Sequence, residues 1–437
     1  VRSSDGSSQT ADLFIAVNDS KNAFAPDPVV EQTLPAGAQH GINYNSDGSV
    51  TFVFYEKDKN GKRYDWCYLI GEFNNWERKS EYAMKRDEAA GCWWITCDGF
   101  ESGKEYMFQY MTGNDDVRLR LSDPYSEITY EGNDQWISAS TYPSMRPYPS
   151  QTSGYVSAFE IGRSSYNWNV TDFKIEDSND LIIYELLLRD FTENGGKEGN
   201  LKNAKAKLDY LETLGINAIE LMPIQEFDGN DSWGYNPNHY FAMDKAYGTR
   251  EMYKEFIDEC HKRGIAVIVD VVYNHLTGNN AFDKMYSLDI NPFFNKVAPH
   301  PFSVFEDINH DNEVIVNHIK RSLGYLLTEY KVDGFRFDLT KGFTNNPSDE
   351  STSKNYDKDR VEILKGYKDY IMTVKSDAVI ILEHFCCDQE EKELAEAGMK
   401  VWRNINYAYG QAAQGTRKDS GLSGLWTGST GMKFGGY

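Results

Sequence analysis

Lys331-Val332-Asp333-Gly334-Phe335-Arg336-Phe337-Asp338 reads as a short buried strand that carries two kinds of side chain. Side chains alternate faces along a strand, so Phe335 and Phe337 point one way and Arg336 and Asp338 the other. A carboxylate beside a buried guanidinium is held ionised at neutral pH. Attack on an electrophilic carbon needs such a group, while a structural salt bridge inside a barrel is the other reading of the pair. What flanks the strand decides between them.

Working outward, short apolar strands alternate with amphipathic helices from residue 181 onward. Leu181-Ile182-Ile183-Tyr184-Glu185-Leu186 is nearly all apolar, as expected of a parallel strand buried on both faces. A helix over 201–214 closes at Gly215. The strand 217–222 follows, then a helix from Thr249 with Met252, Phe256 and Cys260 in step, then the strand 265–272. A helix over 312–330 leads into the quoted strand. Beyond it come a helix near 359–375, the strand 378–383, a helix near 388–397 and a strand at 399–402. This alternation predicts a (β/α)8 barrel. A doubly wound sheet is the alternative, weakened by the lack of a Gly-rich phosphate loop after the first strand.

Before residue 181 the pattern is different. Residues 1–45 form a leader or arm rich in Ser, Asp, Ala and Pro, and 46–135 read as an antiparallel β-sandwich of short strands and turns. Residues 136–180, with scattered prolines, read as a linker to the barrel segment 181–437. Within that segment, 276–311 is too long for a plain connector and reads as a small subdomain. Trp76 and one of Trp93 and Trp94 are expected in the sandwich core. Phe293, Phe294, Phe302 and Phe305 are expected to pack the long loop.

Composition narrows the partners. A net charge of −22 argues against nucleic acid, whose phosphates would be repelled, but not against a neutral polymer. No stretch approaches the roughly 20 apolar residues of a membrane-spanning helix. The six cysteines show neither a disulfide scaffold nor a zinc spacing. The polar start Val1-Arg2-Ser3-Ser4-Asp5-Gly6-Ser7-Ser8 lacks Met and favours an exported protein, periplasmic, surface-bound or secreted, over a cytoplasmic one.

Polar residues gather where the barrel strands end, which is where such barrels do chemistry. Asp270 ends the third strand, Arg336 and Asp338 the fourth, and Glu383 the fifth after Val379-Ile380-Ile381-Leu382. Two carboxylates on neighbouring strands, about 5 Å apart, suit a retaining glycosidase. Asp338 is then the nucleophile, and Glu383, in an apolar setting that raises its pKa, the proton donor and acceptor.

These blocks resemble those of the α-amylase superfamily of glycoside hydrolases. The matching text is Asp270-Val271-Val272-Tyr273-Asn274-His275, Gly334-Phe335-Arg336-Phe337-Asp338 and Ile381-Leu382-Glu383. Gly215 to Pro223, Trp233-Gly234-Tyr235-Asn236-Pro237 and Asp307-Ile308-Asn309 add three further blocks in order. Leu69 to Trp76, Gly91-Cys92-Trp93 and Ser122-Asp123-Pro124-Tyr125 resemble the N-terminal sandwich of branching and debranching enzymes. The resemblance implies an Asp338 nucleophile, a Glu383 acid/base and an Arg336 that keeps Asp338 ionised. It implies a sugar subsite shaped by Asp270, with His275 bonding a hydroxyl, Tyr235 stacking on the ring and Lys341 in the family's lysine position. It requires no cofactor; calcium is the one ion it admits, at Asn274, where backbone capping is the other reading.

Two departures stand out. Gly342 occupies a position where many α-amylases have His, and the family's second aspartate, in a His-Asp pair ending strand seven, is not found. The pair His310-Asp311 precedes the helix before strand four and cannot serve. With six strands counted, the barrel is expected to be incomplete at its C-terminus and the chain alone to have little or no activity. Three functions follow: a retaining hydrolase of starch, glycogen or pullulan, an α-glucan transferase such as a branching enzyme, or a non-catalytic glucan-binding protein.

Overall fold

The computed structural model describes residues 25–193 and 199–402, together with 410 and 413–415. The start of the expected leader and the end of the segment 181–437 lie outside the described residues.

Two antiparallel sheets form the N-terminal part. Gly41–Tyr44, Val50–Tyr55, Cys92–Cys97 and Lys85–Asp87 are neighbours in that order in one sheet. Trp66–Gly71, Glu105–Gly113, Val156–Glu160 and Ile128–Tyr130 make the other, with Arg118–Leu121 also paired to Glu105–Gly113. Aromatic side chains from the two inner faces meet: Phe52 lies 5.0 Å from Phe108, and Phe54 stacks 4.5 Å from Tyr110. Such pairs add directional contact to apolar burial and hold the sheets together.

Two strands fall outside the stretch 46–135. Gly41–Tyr44 lies in the predicted arm and Val156–Glu160 in the predicted linker, where Val156, Ala158 and Phe159 are buried. The arm also has a structural task. Leu34 and Ala38 pack on Trp94, and its indole N–H donates to the Gln32 carbonyl at 2.9 Å. Trp76, Trp93 and Trp94 are therefore all buried, including the one that alternation alone would leave facing water.

The second part is a parallel half-barrel. Its six strands, Ile183–Leu186, Ala218–Leu221, Ala266–Val271, Gly334–Phe337, Val379–Leu382 and Lys400–Val401, are adjacent in chain order. That order has no reversal, unlike a doubly wound sheet. Helices Arg250–Lys262, Glu313–Glu329, Lys358–Val374 and Asp388–Glu396 connect the later strands. Thr249, Asn312 and Asp357 cap the first three by accepting backbone N–H bonds. The helix expected over 201–214 is two short ones, Leu201–Lys205 and Leu208–Thr213. Among the described residues the first strand is not buried on both faces: Ile183 and Glu185 are exposed.

Alternation along the strands positions everything that follows. Ile219, Val267, Val269, Phe335, Phe337, Ile380 and Leu382 join the large core beneath the helices. Ala218, Ala266, Ile268, Val379 and Ile381, on the other face, form a separate small cluster closed by Phe173, Ile175 and Leu181. Continuing along this second face, the next side chains are Glu220, Asp270, Arg336 and Glu383, with Asp338 one step past Arg336. The inner face is thus apolar at one end and charged at the C-terminal end of the strands.

The segment 276–311 folds over this charged end with a short helix, Ala281–Met285, and the pair His275–Leu276 with Glu306–Asp307. It also seats on the N-terminal sheets: the Lys59 N–H donates to Ile290 at 2.9 Å. Phe293 and Phe294 are fully buried in it, whereas Phe305 is exposed.

Candidate active site

Parallel register sets Asp270 opposite Arg336, and Arg336 opposite Ile381, two residues before Glu383. One guanidinium therefore reaches three carboxylates. Arg336 Nη1 donates to both oxygens of Asp270 at 2.9 Å and to Asp338 Oδ1 at 2.8 Å. Its Nη2 lies 3.1 Å from Glu383 Oε2. Trp402 covers the guanidinium face, 4.4 Å from its ring centre, a cation–π contact strengthened by the burial of Arg336. The Tyr235 hydroxyl donates to Asp270 Oδ2 at 2.7 Å.

Asp338 and Glu383 thus meet on the same guanidinium. Burial pushes Asp338 up to about 6, Arg336 pulls it back, and the charge of Glu383 raises it again. Burial also raises Asp270, with Arg336 opposing and Asp338 adding to the effect. Glu383 lacks the apolar setting expected for it. A quarter of its side chain is exposed, Arg336 touches it, and the Leu339 N–H donates to Oε2 at 3.0 Å.

That N–H is presented by a left-handed turn, with Leu339 at φ 48°. A non-glycine residue there costs roughly 1 kcal/mol and persists only when the surroundings hold it. The hold is visible. The Thr340 N–H and hydroxyl both donate to the Glu383 carbonyl, at 3.0 and 2.9 Å. Thr340 also meets His384 Nδ1 at 2.9 Å, and His384 Nε2 meets Glu390 Oε1 at 2.8 Å. Arg360 clasps both oxygens of Glu390 at 2.6 and 2.8 Å and donates to the Lys341 carbonyl at 3.1 Å. His384, Cys386 and Glu390 lie within 4.8 Å of one another, but Arg360 occupies the carboxylate a cation would need.

Other residues singled out from the sequence take different positions. His275 is not free for a sugar hydroxyl: Nε2 meets the Tyr235 carbonyl at 2.9 Å, and Asn274 Nδ2 faces Nδ1 at 3.3 Å. Its effect is to tether the loop that carries Tyr235. The Lys341 ammonium sits 4.0 Å over the Phe302 ring. His310 is buried against Phe343 and Tyr367, and Asp311 is exposed, so that pair stays out of the acid cluster. Sequence reasoning passed over Glu220, a buried acid pushed up to about 7 by burial and drawn down by Arg336. It also passed over the stacking of Trp402 and the brace from Thr340 to Arg360.

The fold is a parallel half-barrel with acids clustered at its strand ends, and similarity to known proteins gives the family. The α-amylase catalytic domain matches residues 183–300 and 299–427, more than half of the chain, and the chain belongs to that family. It is 31% identical over 301 residues to the malto-oligosyltrehalose trehalohydrolase of Saccharolobus solfataricus, covering 68% of this chain and 46% of that protein. It is 28% identical over 305 residues to a 1,4-alpha-glucan-branching enzyme of Candida glabrata, covering 68% and 42%. The chain spans less than half the length of these relatives. In fold it is similar to pullulanase type I from Bacillus subtilis, with a TM-score of 0.64 and 19% identity, covering 85% of this chain and 51% of that one.

Asn274, the residue the resemblance offers to calcium, lies among buried polar atoms that lack hydrogen-bond partners. Asn274 Oδ1, Asp307 Oδ1 and His300 Nε2 are each buried without a hydrogen-bond partner, His300 Nε2 standing 2.9 Å from Asp307 Oδ1. A Cβ on Gly342 would lie 1.9 Å from Asn274 Oδ1 and 3.0 Å from His300 Nε2, so position 342 has no room for a side chain.

Proposed function

We propose that this chain carries the catalytic half-site of a retaining α-glucan hydrolase acting on starch-, glycogen- or pullulan-type substrates. The observation that supports this most is the single guanidinium of Arg336 bonded to carboxylates from three adjacent strand ends. In the first step an Asp338 oxygen bonds to the anomeric carbon as the glycosidic C–O bond breaks, and Glu383 gives its proton to the leaving oxygen. In the second step Glu383 takes a proton from water, whose oxygen displaces Asp338 from the sugar. Arg336 aligns Asp338 and stabilises its carboxylate, while Tyr235 and Asp270 line the sugar bound at that carbon. A full eight-stranded barrel, with a further carboxylate from a later strand, completes the set in this reading.

The family supports a second reading, because its members include a branching enzyme. There a glucan hydroxyl replaces water in the second step. A protein extending this chain to the length of its relatives, incubated with maltooligosaccharide, separates the two. New reducing ends mean hydrolysis, whereas new branches at constant reducing power mean transfer. Trapping with a fluorinated glucosyl fluoride followed by peptide mass spectrometry should label Asp338. A label on another carboxylate would overturn the assignment.

A further inference from the structure

We infer that Thr340 is a positioning residue for Glu383: it grips the main chain of the acid/base residue while the neighbouring Leu339 N–H grips its carboxylate. That Glu383 moves the proton rests on the catalytic reading above. How Glu383 is held rests on the turn that follows Asp338.

Residues 339 and 340 follow the nucleophile directly and reach across to the next strand. The Thr340 N–H and hydroxyl both donate to the Glu383 carbonyl, at 3.0 and 2.9 Å, and the Leu339 N–H donates to Glu383 Oε2 at 3.0 Å. The Glu383 N–H in turn donates to the Phe337 carbonyl at 3.0 Å. Glu383 is thus held at its amide, its carbonyl and its carboxylate by Phe337, Leu339 and Thr340, all within two residues of Asp338. A quarter of its side chain is exposed, so without these bonds its torsions would be free to visit other rotamers. With them, nucleophile and proton donor form one unit whose spacing is set by the turn.

The backbone is strained on both sides of this grip. Leu339 at φ 48° precedes Thr340, and Phe385 at φ 51° follows His384. Left-handed residues other than glycine cost free energy and persist where their surroundings impose them, most often at functional sites. Here the surroundings are buried and polar. His384 Nδ1 stands 2.9 Å from Thr340 Oγ1, and its Nε2 stands 2.8 Å from Glu390 Oε1. Arg360 holds Glu390 and also donates to the Lys341 carbonyl at 3.1 Å, so one guanidinium steadies both strand ends. Thr340, His384 and Glu390 are all fully buried, and a partner lost there is not replaced by bulk water.

Proton transfer makes this placement count. A carboxyl group protonates a leaving oxygen only from hydrogen-bond reach, and a misplacement of about 1 Å costs on the order of 100-fold in rate. Thr340 is fully buried and meets no substrate, so its loss should act on kcat and leave substrate binding alone. It should also act selectively. A leaving group that departs without a proton has no use for a well-placed Glu383 in the first step.

The test compares Thr340→Val, which keeps the shape and removes the hydroxyl, with Thr340→Ser, which keeps the hydroxyl. In a protein extending this chain to the length of its relatives, Thr340→Val should lower kcat for maltooligosaccharide about 10–100-fold, leave KM within about twofold, and lower kcat for a glucosyl fluoride far less. Thr340→Ser should restore most of the loss. In the chain itself, amide hydrogen exchange read residue by residue by mass spectrometry should be slow at Leu339 and Thr340 in the wild type. It should be about tenfold faster there in Thr340→Val and close to wild type in Thr340→Ser. Equal losses on the two substrates, or a Ser variant no better than the Val variant, would overturn the inference. So would fast exchange at Leu339 and Thr340 in the wild type, which decides the matter even if Thr340→Val does not fold. Glu383→Gln tells the two levels apart: if it lowers both substrates equally, Glu383 is not the proton donor and the catalytic reading falls, while hydrogen exchange still judges the grip of Thr340.

Discussion

Replacing Asp338 by Asn should raise the stability of the protein at neutral pH, and the gain should grow with pH. The carboxyl is pushed up from 3.8 to about 6 in the folded chain, chiefly by burial. A group with a raised folded pKa binds its proton more tightly when native than when unfolded. Its contribution is therefore most favourable below pH 3.8 and is lost as pH rises through 6. A shift of about two units corresponds to about 3 kcal/mol between the two limits. Asn does not titrate, so the variant avoids this loss. The stability difference between Asp338→Asn and wild type should thus move in the variant's favour by about 1–3 kcal/mol from pH 4 to pH 8. The lower figure allows for Asp270 and Glu383 redistributing protons around Arg336, since these groups titrate together. Urea unfolding followed by tryptophan fluorescence at several pH values reads the difference directly. A flat difference, or one that moves toward wild type with rising pH, would mean that burial does not dominate at Asp338.

Three other outcomes are expected. In a catalytically competent longer protein, the acid limb of kcat/KM should fall near pH 6, and Glu383→Gln should lower kcat by about 10²–10⁴-fold for a natural glucan but far less for a glucosyl fluoride, which needs no proton donor. Arg360→Leu should destabilise by about 3–5 kcal/mol in chemical denaturation, because it strands Glu390 in a fully buried position; Arg360→Met with Glu390→Leu together should recover much of that loss. Gly342→Ala should cost about 1–3 kcal/mol, because its Cβ would meet Asn274 Oδ1 at 1.9 Å, and a Tm equal to wild type would show that the pocket can relax.

The barrel part was readable because its physics is local. Strands such as 265–272 and 378–383 are apolar runs interrupted only by an acid near the strand end, and the helices Arg250–Lys262, Glu313–Glu329 and Lys358–Val374 each start at their own Thr, Asn or Asp. The N-terminal part was less readable at its borders. Val156–Glu160 alternates weakly and sits among prolines and serines, so nothing local distinguishes it from a linker; its partner Glu105–Gly113 lies some 50 residues away. The burial of Trp94 has the same origin, since it depends on an arm more than 50 residues upstream. The exposed face of Ile183–Leu186 escaped for a related reason: an apolar run does not reveal which of its two faces is covered.

For the site, strand parity was enough to place Arg336 and Asp338 on one face, but it could not give the electrostatics. Whether Asp338 rests below or above its ordinary pKa depends on burial from all sides, and here burial outweighs the guanidinium. The surroundings of Glu383 escaped for a different reason. Four apolar residues before it suggested an apolar setting, yet a residue at a strand end leaves the apolar layer and enters the polar one, where Arg336 and the Leu339 N–H meet it. His275 shows the limit most plainly. A histidine five residues after a strand-end aspartate has the right position to bind a sugar, and only the Tyr235 carbonyl, 40 residues earlier, reveals that its Nε2 is already engaged. That bond orders the loop above the acids and orients the Asn274 amide behind it. One hydrogen bond thus links the substrate side of the barrel rim to the polar pocket at Gly342, and a His275 substitution should disturb both.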